Sequence, residues 1–356
     1  MSEGHDHILI VRPSAMGDIV MASCLLSGLK HFFPASSIDW LVEPRFAEII
    51  RHHPLLNSLV LWNKAGWRAE FNSLHLSALL KELTEFRRVL RSGTSNGDEK
   101  PYYDLVVDAQ GLIRSRLLSR LTEAKRRVGI ASREPGGFLM TGLVTPPHDT
   151  FMGSEYLYLL AHITGADLNV VRKAARPAVH VPASCREEAA RLLQRHEIGR
   201  YVVFLPFTTR LQKHWVQHYW PELSEKFKKV GYRVLILGGP MDQRPAAEIT
   251  AASGNVLSLA GEVSLSTAIA LIQGASLAVG VDTGLTHAAV VSNIPTVAIF
   301  GSTCPYIASW NQRLKIIFHD LPCAPCRRSP VCSGDFKCMK SISVKEVFDA
   351  AMQICE

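Results

Sequence analysis

"ILIVRPSAMGDIVMA", residues 8–22, decides the fold. Four apolar residues read as a buried strand, Pro13 and Gly17 punctuate a turn, and an amphipathic run follows. A strand feeding a helix through a short polar turn is the repeating unit of a parallel sheet. In doubly wound proteins such a turn commonly receives an anion, because free N–H groups at the helix start point outward. This turn instead carries Asp18. It has a single glycine at the critical place, too few for a pyrophosphate to lie against the backbone. A helix start can also stabilise an ionised carboxylate, or Asp18 can be an ordinary cap. The phosphate site is expected elsewhere in the chain.

The same alternation continues outward. Strand signals fall at 8–12, 37–43, 57–62, 104–108 and 126–130, with helical periodicity at 19–33, 71–91 and 112–122. The polar stretch "SGTSNGDEKP", residues 92–101, reads as a loop. A second series has strands at 201–207, 232–238, 255–259, 277–281 and 296–300, with helical patterns such as 217–230 and 265–274. Between the series lies "ARPAVHVPAS", residues 175–184, whose two prolines suit a linker. Two similar α/β domains are expected, 1–178 and 185–356, facing a cleft. Ligands of such sheets bind beyond the carboxyl ends of the strands.

A chain of 356 residues with 47% apolar and 20% charged residues can bury a large core. Its formal charge of +7 and pI near 9.0 suit an anionic partner: nucleic acid, a phospholipid surface or a phosphorylated sugar. The surplus is spread over both halves. No zinc-finger, RNA-recognition or helix-turn-helix pattern accompanies the basic residues, so nucleic acid is not the expected partner. The polar start "MSEGHDH" does not read as a signal peptide. No window approaches the roughly 20 apolar residues of a membrane span. A cytoplasmic protein is expected, with peripheral membrane contact left open.

Four stretches can carry chemistry. "GVDTGLTHAAVV", residues 280–291, places Asp282 and Thr283 at a strand-to-helix turn, and that helix start can hold a diphosphate. An ordinary capped helix with a packed His287 fits the same residues. "FLPFTTRLQKHW", residues 204–215, offers the hydroxyls of Thr208 and Thr209 and the mobile charge of Lys213. A solvated loop is its alternative, and Trp215 and Trp220 read as packing residues. "ILGGPMDQRP", residues 236–245, presents Asp242, which can bind ribose hydroxyls, on a turn that needs no ligand. "VVDAQGLIRSRLLSR", residues 106–120, displays Arg114, Arg116 and Arg120, which are either solvated or able to grip an anionic acceptor.

Of eight cysteines, four lie in "CAPCRRSPVCSGDFKC", residues 323–338, spaced C-x2-C-x5-C-x5-C. Cys323, Cys326, Cys332 and Cys338 can form a tetrahedral structural zinc or iron site or remain free or redox-active thiols. No serine triad, Walker loop, GxGxxG turn or HExxH helix is present.

Together these pieces resemble the lipopolysaccharide heptosyltransferases of glycosyltransferase family nine. The resemblance spans nearly the whole chain. It rests on "VRPSAMGDIV", "DAQGLIRS", "TTRLQKHW", "GGP", "VDTGLTH" and "FGSTCP" in that order, and looks most like the heptosyltransferase I branch, which adds the first heptose to Kdo. It implies a GT-B architecture of two Rossmann-like domains. The C-terminal domain would hold ADP-L-glycero-D-manno-heptose and the N-terminal domain a Kdo–lipid A or inner-core acceptor. Transfer would invert the anomeric carbon with no catalytic metal. Carried over by motif, Asp18 is the base. Thr208, Thr209, Lys213, Thr283, Gly284, Leu285 and His287 contact the donor, Asp282 helps to hold the heptose, and Asp242 stands at the ribose. The branch often carries Glu at that last position. Heptosyltransferase II, another nucleotide-sugar transferase of the family, a sugar-nucleotide epimerase and a non-catalytic nucleotide-binding module are the alternatives.

Overall fold

The computed structural model describes residues 5–67, 76–92, 102–326 and 329–355. The expected helix at 71–91 is seen from Leu76 to Ser92, and its first five residues lie outside the described ones, as does most of the 92–101 loop. The chain divides into two compact units. One comprises Met1–Asp149 and Gly153–His180, the other Thr150–Met152 and Val181–Glu356.

The first unit holds a six-stranded parallel sheet. Its strands are β1 (His7–Val11), β2 (Ser37–Val42), β3 (Ser58–Leu61), β4 (Leu105–Asp108), β5 (Arg126–Ile130) and β6 (Gly142–Val144), in the order β3-β2-β1-β4-β5-β6. β1 lies centrally, with Ile10 level with Trp40 of β2 on one side and Val107 of β4 on the other. Central strands of a parallel sheet are covered on both faces, which is why "ILIV" is continuously apolar and fully buried. The expected helix over 19–33 is two helices, Met16–Ala22 and Cys24–Phe32. They meet at Ser23, whose hydroxyl donates to Val20 O at 2.7 Å and accepts from Ala178 N at 2.9 Å. A serine that bonds backbone on both sides lets the chain bend without breaking the apolar pattern.

The second unit repeats the plan with β7 (Tyr201–Leu205), β8 (Arg233–Ile236), β9 (Val256–Ser258), β10 (Leu277–Val281), β11 (Thr296–Phe300) and β12 (Leu314–Phe318), ordered β12-β11-β10-β7-β8-β9. Read from its third strand, this is the same order as in the first sheet, the doubly wound Rossmann order. Every pairing in both sheets is parallel. Trp215 and Trp220 pack in the core with Phe204 and Phe227, and Trp215 Nε1 donates to Ile342 O at 2.9 Å. Thr150–Met152 joins this unit through a bridge between Phe151 and Ala308.

In each sheet the strand order reverses between the first and fourth strands in sequence, β1/β4 and β7/β10. Crossovers leave such neighbours in opposite directions, so the carboxyl ends there stay uncovered. Four of the five turns quoted above follow these strands, and the Asp242 turn follows β8.

Candidate active site

In the first unit, Asp18 is the third residue of helix Met16–Ala22. Its Oδ2 accepts the Ala15 N–H at 3.2 Å and pairs with the Arg12 guanidinium at 2.6 Å. The side chain keeps 39% of its surface open to solvent, so it is anchored from below and reachable from above. Arg12 is buried. It donates to Ala109 O at 2.7 Å and lies 5.7 Å from the centre of the Tyr156 ring. Burial works against its charge, but Tyr156, Asp18 and Glu155 outweigh this and hold the guanidinium firmly protonated. Burial pushes the Glu155 carboxyl up, and Asp18 is the carboxylate that makes the ion pair with that cation. Sequence reasoning assigned Arg12 no role. Its signal was a cation directly after a strand, six residues before the carboxylate.

The β4 turn is built by its own acid. Asp108 is fully buried, with Oδ1 accepting from Gln110 N and Gly111 N at 3.0 Å each and Oδ2 from the Ser115 hydroxyl at 2.9 Å. Gly111 has φ +71, and a Cβ there would stand 2.7 Å from Ile130 O. This turn brings Gln110 and Arg114 to a small recess shared with Ser14, Glu43 and Lys64. Lys64 pairs with Glu43 at 3.3 Å. Arg114 and Arg120 are exposed. Arg116 departs from expectation. It is buried and donates to Glu134 O at 2.6 Å and Pro135 O at 2.8 Å, so it secures a loop and is not free to grip an acceptor.

In the second unit the turns after β7 and β10 converge. Lys213 Nζ lies 2.5 Å from Asp282 Oδ2, and His287 Nε2 lies 3.2 Å from Asp282 Oδ1. Asp282 is buried. Burial alone would raise its carboxyl, but His287 and Lys213 outweigh this and keep it ionised, well below the usual carboxylate range. His287 Nδ1 meets the Tyr306 hydroxyl at 3.0 Å. Because the carboxylate only accepts, Nε2 carries the hydrogen, and in the neutral ring Nδ1 then accepts the Tyr306 O–H. Burial and the Asp282 charge push the Tyr306 hydroxyl up, which keeps it a donor.

Helix Gly284–Val291 begins beside this group. Thr283 is its extended N-cap and makes no side-chain capping bond. Gly284 and Leu285 are partly open, so the first N–H groups have no side-chain cap covering them. Thr286 turns its hydroxyl back to Val281 O at 2.7 Å. A Cβ on Gly280 would fall 2.2 Å from that Oγ1 and 2.8 Å from Leu205 Cβ, so this close approach requires glycine. Thr209 is exposed and Thr208 half-buried, its carbonyl meeting His214 Nε2 at 2.8 Å. Asp242 bends back to accept Gly239 N at 2.8 Å through Oδ2.

The cysteines of the 323–338 stretch form no disulfide. All eight are free thiols, and among the described residues no three His, Cys, Asp or Glu side chains are placed to hold one metal ion. Cys338 is buried on the short helix Lys337–Lys340, while Cys323, Cys326 and Cys332 are half-buried before that helix. The sulfurs still feel one another: burial first, then the neighbouring thiols, pushes Cys326 and Cys338 up.

Two Rossmann-type sheets, one with a carboxylate at its switch point and one with an uncapped helix start beside a lysine, define a protein of the doubly wound α/β class with a helix start suited to an anionic group. The chain belongs to glycosyltransferase family 9 (heptosyltransferase), whose model matches residues 99–335. It is 27% identical over 328 residues to lipopolysaccharide heptosyltransferase 1 of Pseudomonas aeruginosa, covering 90% of this chain and 85% of that one. Among solved structures it resembles the family 9 glycosyl transferase of Veillonella parvula (TM-score 0.83, 18% identity, covering 100% of this chain and 98% of that one). It also resembles E. coli heptosyltransferase WaaC, solved with ADP-2-deoxy-2-fluoro heptose (TM-score 0.73, 24% identity, 98% and 99%). The fold is that of these GT-B heptosyltransferases, and the chain is a glycosyltransferase.

Proposed function

We propose that the protein moves heptose from ADP-L-glycero-D-manno-heptose to the Kdo of the lipopolysaccharide inner core, with inversion at the anomeric carbon. The observation that carries this reading is the Lys213–Asp282–His287 group beside the uncapped helix start. The helix N–H groups of Gly284 and Leu285 receive the diphosphate, with the hydroxyls of Thr208, Thr209 and Thr283. Lys213 supplies the cation. Asp282 accepts hydroxyls of the heptose, and Asp242 those of the ribose.

The reaction is one in-line displacement. Asp18 takes the proton of an acceptor hydroxyl as that oxygen attacks the anomeric carbon. The bond to the diphosphate breaks through an oxocarbenium-like state. Negative charge gathers on the departing ADP, where Lys213, the hydroxyls and the helix start meet it. These groups make a divalent cation dispensable, and full activity in excess EDTA is expected. Loss of activity restored only by Mg²⁺ would contradict this. Arg114 and Arg120, both exposed, are the arginines proposed to meet the anionic acceptor. A cytoplasmic protein touching the inner face of the membrane fits such an acceptor.

Mass spectrometry of a reaction with ADP-heptose and Kdo–lipid A tests the reading. One heptose added to Kdo–lipid A is expected. Addition only to an acceptor that already bears heptose would assign heptosyltransferase II, and turnover of the nucleotide sugar without acceptor would assign an epimerase.

A further inference from the structure

We propose that the face formed by helix Ile113–Leu121 and the tight turn Gly137–Leu139 is a docking surface for an anionic lipid bilayer. Along this helix Arg114, Leu117 and Arg120 point outward at three-residue spacing, while Ser115, Arg116, Leu118 and Ser119 are buried. The turn packs against the helix and lifts Phe138 out of the surface, with 87% of it exposed. Leu117 and Leu143 are also open, and a Cβ on Gly137 would meet Leu143 Cδ1 at 3.1 Å, so Leu143 adjoins the turn.

The turn is held in place. Arg116 spends its guanidinium on Glu134 O and Pro135 O, Arg127 Nε donates to Leu139 O at 2.9 Å, and the Glu134 carboxylate accepts Ile113 N at 2.8 Å. Buried and half-buried arginines thus fix a phenylalanine in water, where its hydration is unfavourable and no core receives it. The cations around it are in excess. Arg120 stands close enough to Arg127 to lower that guanidinium, whose larger cost is burial. Of the acids on this face, Glu123 is shared by Arg87 at 2.7 Å and Arg91 at 3.0 Å, and the Glu134 carboxylate is bonded to Ile113 N. An aromatic tip beside a helix that exposes Arg114 and Arg120 matches a bilayer boundary, where the ring enters the acyl edge and the cations meet phosphates. Arg114 also lines the recess beside Ser14 and Gln110, so the surface runs into the place proposed for the acceptor. That last link rests on the proposed function; the surface does not.

The test uses the full chain and vesicles of phosphatidylglycerol with phosphatidylethanolamine, against vesicles of phosphatidylcholine alone. Co-sedimentation with the anionic vesicles, weakened by salt, is expected. Phe138→Asp should lower this partitioning about tenfold, with unchanged melting temperature and unchanged transfer to a deacylated soluble acceptor. Phe138→Trp should gain a blue-shifted emission on the anionic vesicles. Equal binding to both lipids, or full binding by Phe138→Asp, would overturn the proposal. So would a dimer that Phe138→Asp dissociates while vesicle binding persists. Binding is read without donor, so a failed transfer reaction would leave this result standing.

Discussion

The two units share one topology and use it oppositely. In the first, the helix after β1 has its start occupied by its own carboxylate: Asp18 accepts Ala15 N and is braced by Arg12. In the second, the helix after β10 has no side-chain cap, and the nearby carboxylate is turned aside to Lys213 and His287. A filled helix start repels phosphate and offers a base, whereas an open one attracts phosphate. Fold order alone therefore does not assign roles. Whether the acid sits on the helix start or beside it decides which unit is expected to hold the nucleotide.

The largest effect is expected from Asp18→Asn, which keeps the Ala15 contact but cannot take a proton. Turnover should fall about 10³-fold, read by initial rates at saturating donor. Lys213→Ala should follow at about 10²-fold, because one charge facing the leaving group is lost. Its signature is weaker ADP binding in calorimetry, which Asp18→Asn should not show. Gly280→Ala forces a methyl against Thr286 Oγ1 and Leu205 Cβ. Thermal or urea unfolding should show a loss of about 1–3 kcal/mol, with a poorer ADP site. Arg12→Met should cost about tenfold in kcat while leaving the KM for donor unchanged, since Arg12 positions the base and touches no donor group. Arg12→Lys should recover part of that loss.

The smallest contrast concerns acid. Burial and then His180 lower His53 of the first unit to about 4, so it folds neutral. The unfolded chain, with an ordinary histidine near about 6.5, binds the extra proton there. Stability from His53 is present above that pH and lost as pH falls toward about 4. Asp282 of the second unit is shifted the other way relative to its charge: its depressed carboxyl contributes above about 4 and loses that contribution only below. The stability difference between wild type and His53→Phe should shrink from pH 6.5 to 4, read by urea titration. The difference for Asp282→Asn should stay level over that range.

The central strands were legible because both faces are buried and their residues run continuously apolar. Of the edge strands, β3 and β9 were legible as well, but β6 and β12 were not: β6 has three residues, and β12 alternates, with Lys315 outward. The turns after β1, β7 and β10 could be read because polar residues follow each strand directly. Their partners could not. Arg12 finds Ala109 and Tyr156 far along the chain, and Tyr306 reaches His287 from a loop outside every motif considered. Arg116 was misread for a related reason. An arginine written among others looks solvated, and only the helix register shows that position 116 faces inward while 114, 117 and 120 face out.

The division of labour between the units is tested most directly by titrating ADP into Asp18→Asn and Lys213→Ala alongside transfer rates. The expected result is an ADP affinity within about twofold of wild type for Asp18→Asn, with transfer nearly abolished, and at least about tenfold weaker ADP for Lys213→Ala. Equal loss of ADP affinity in both variants, or near wild-type transfer by Asp18→Asn, would contradict the account.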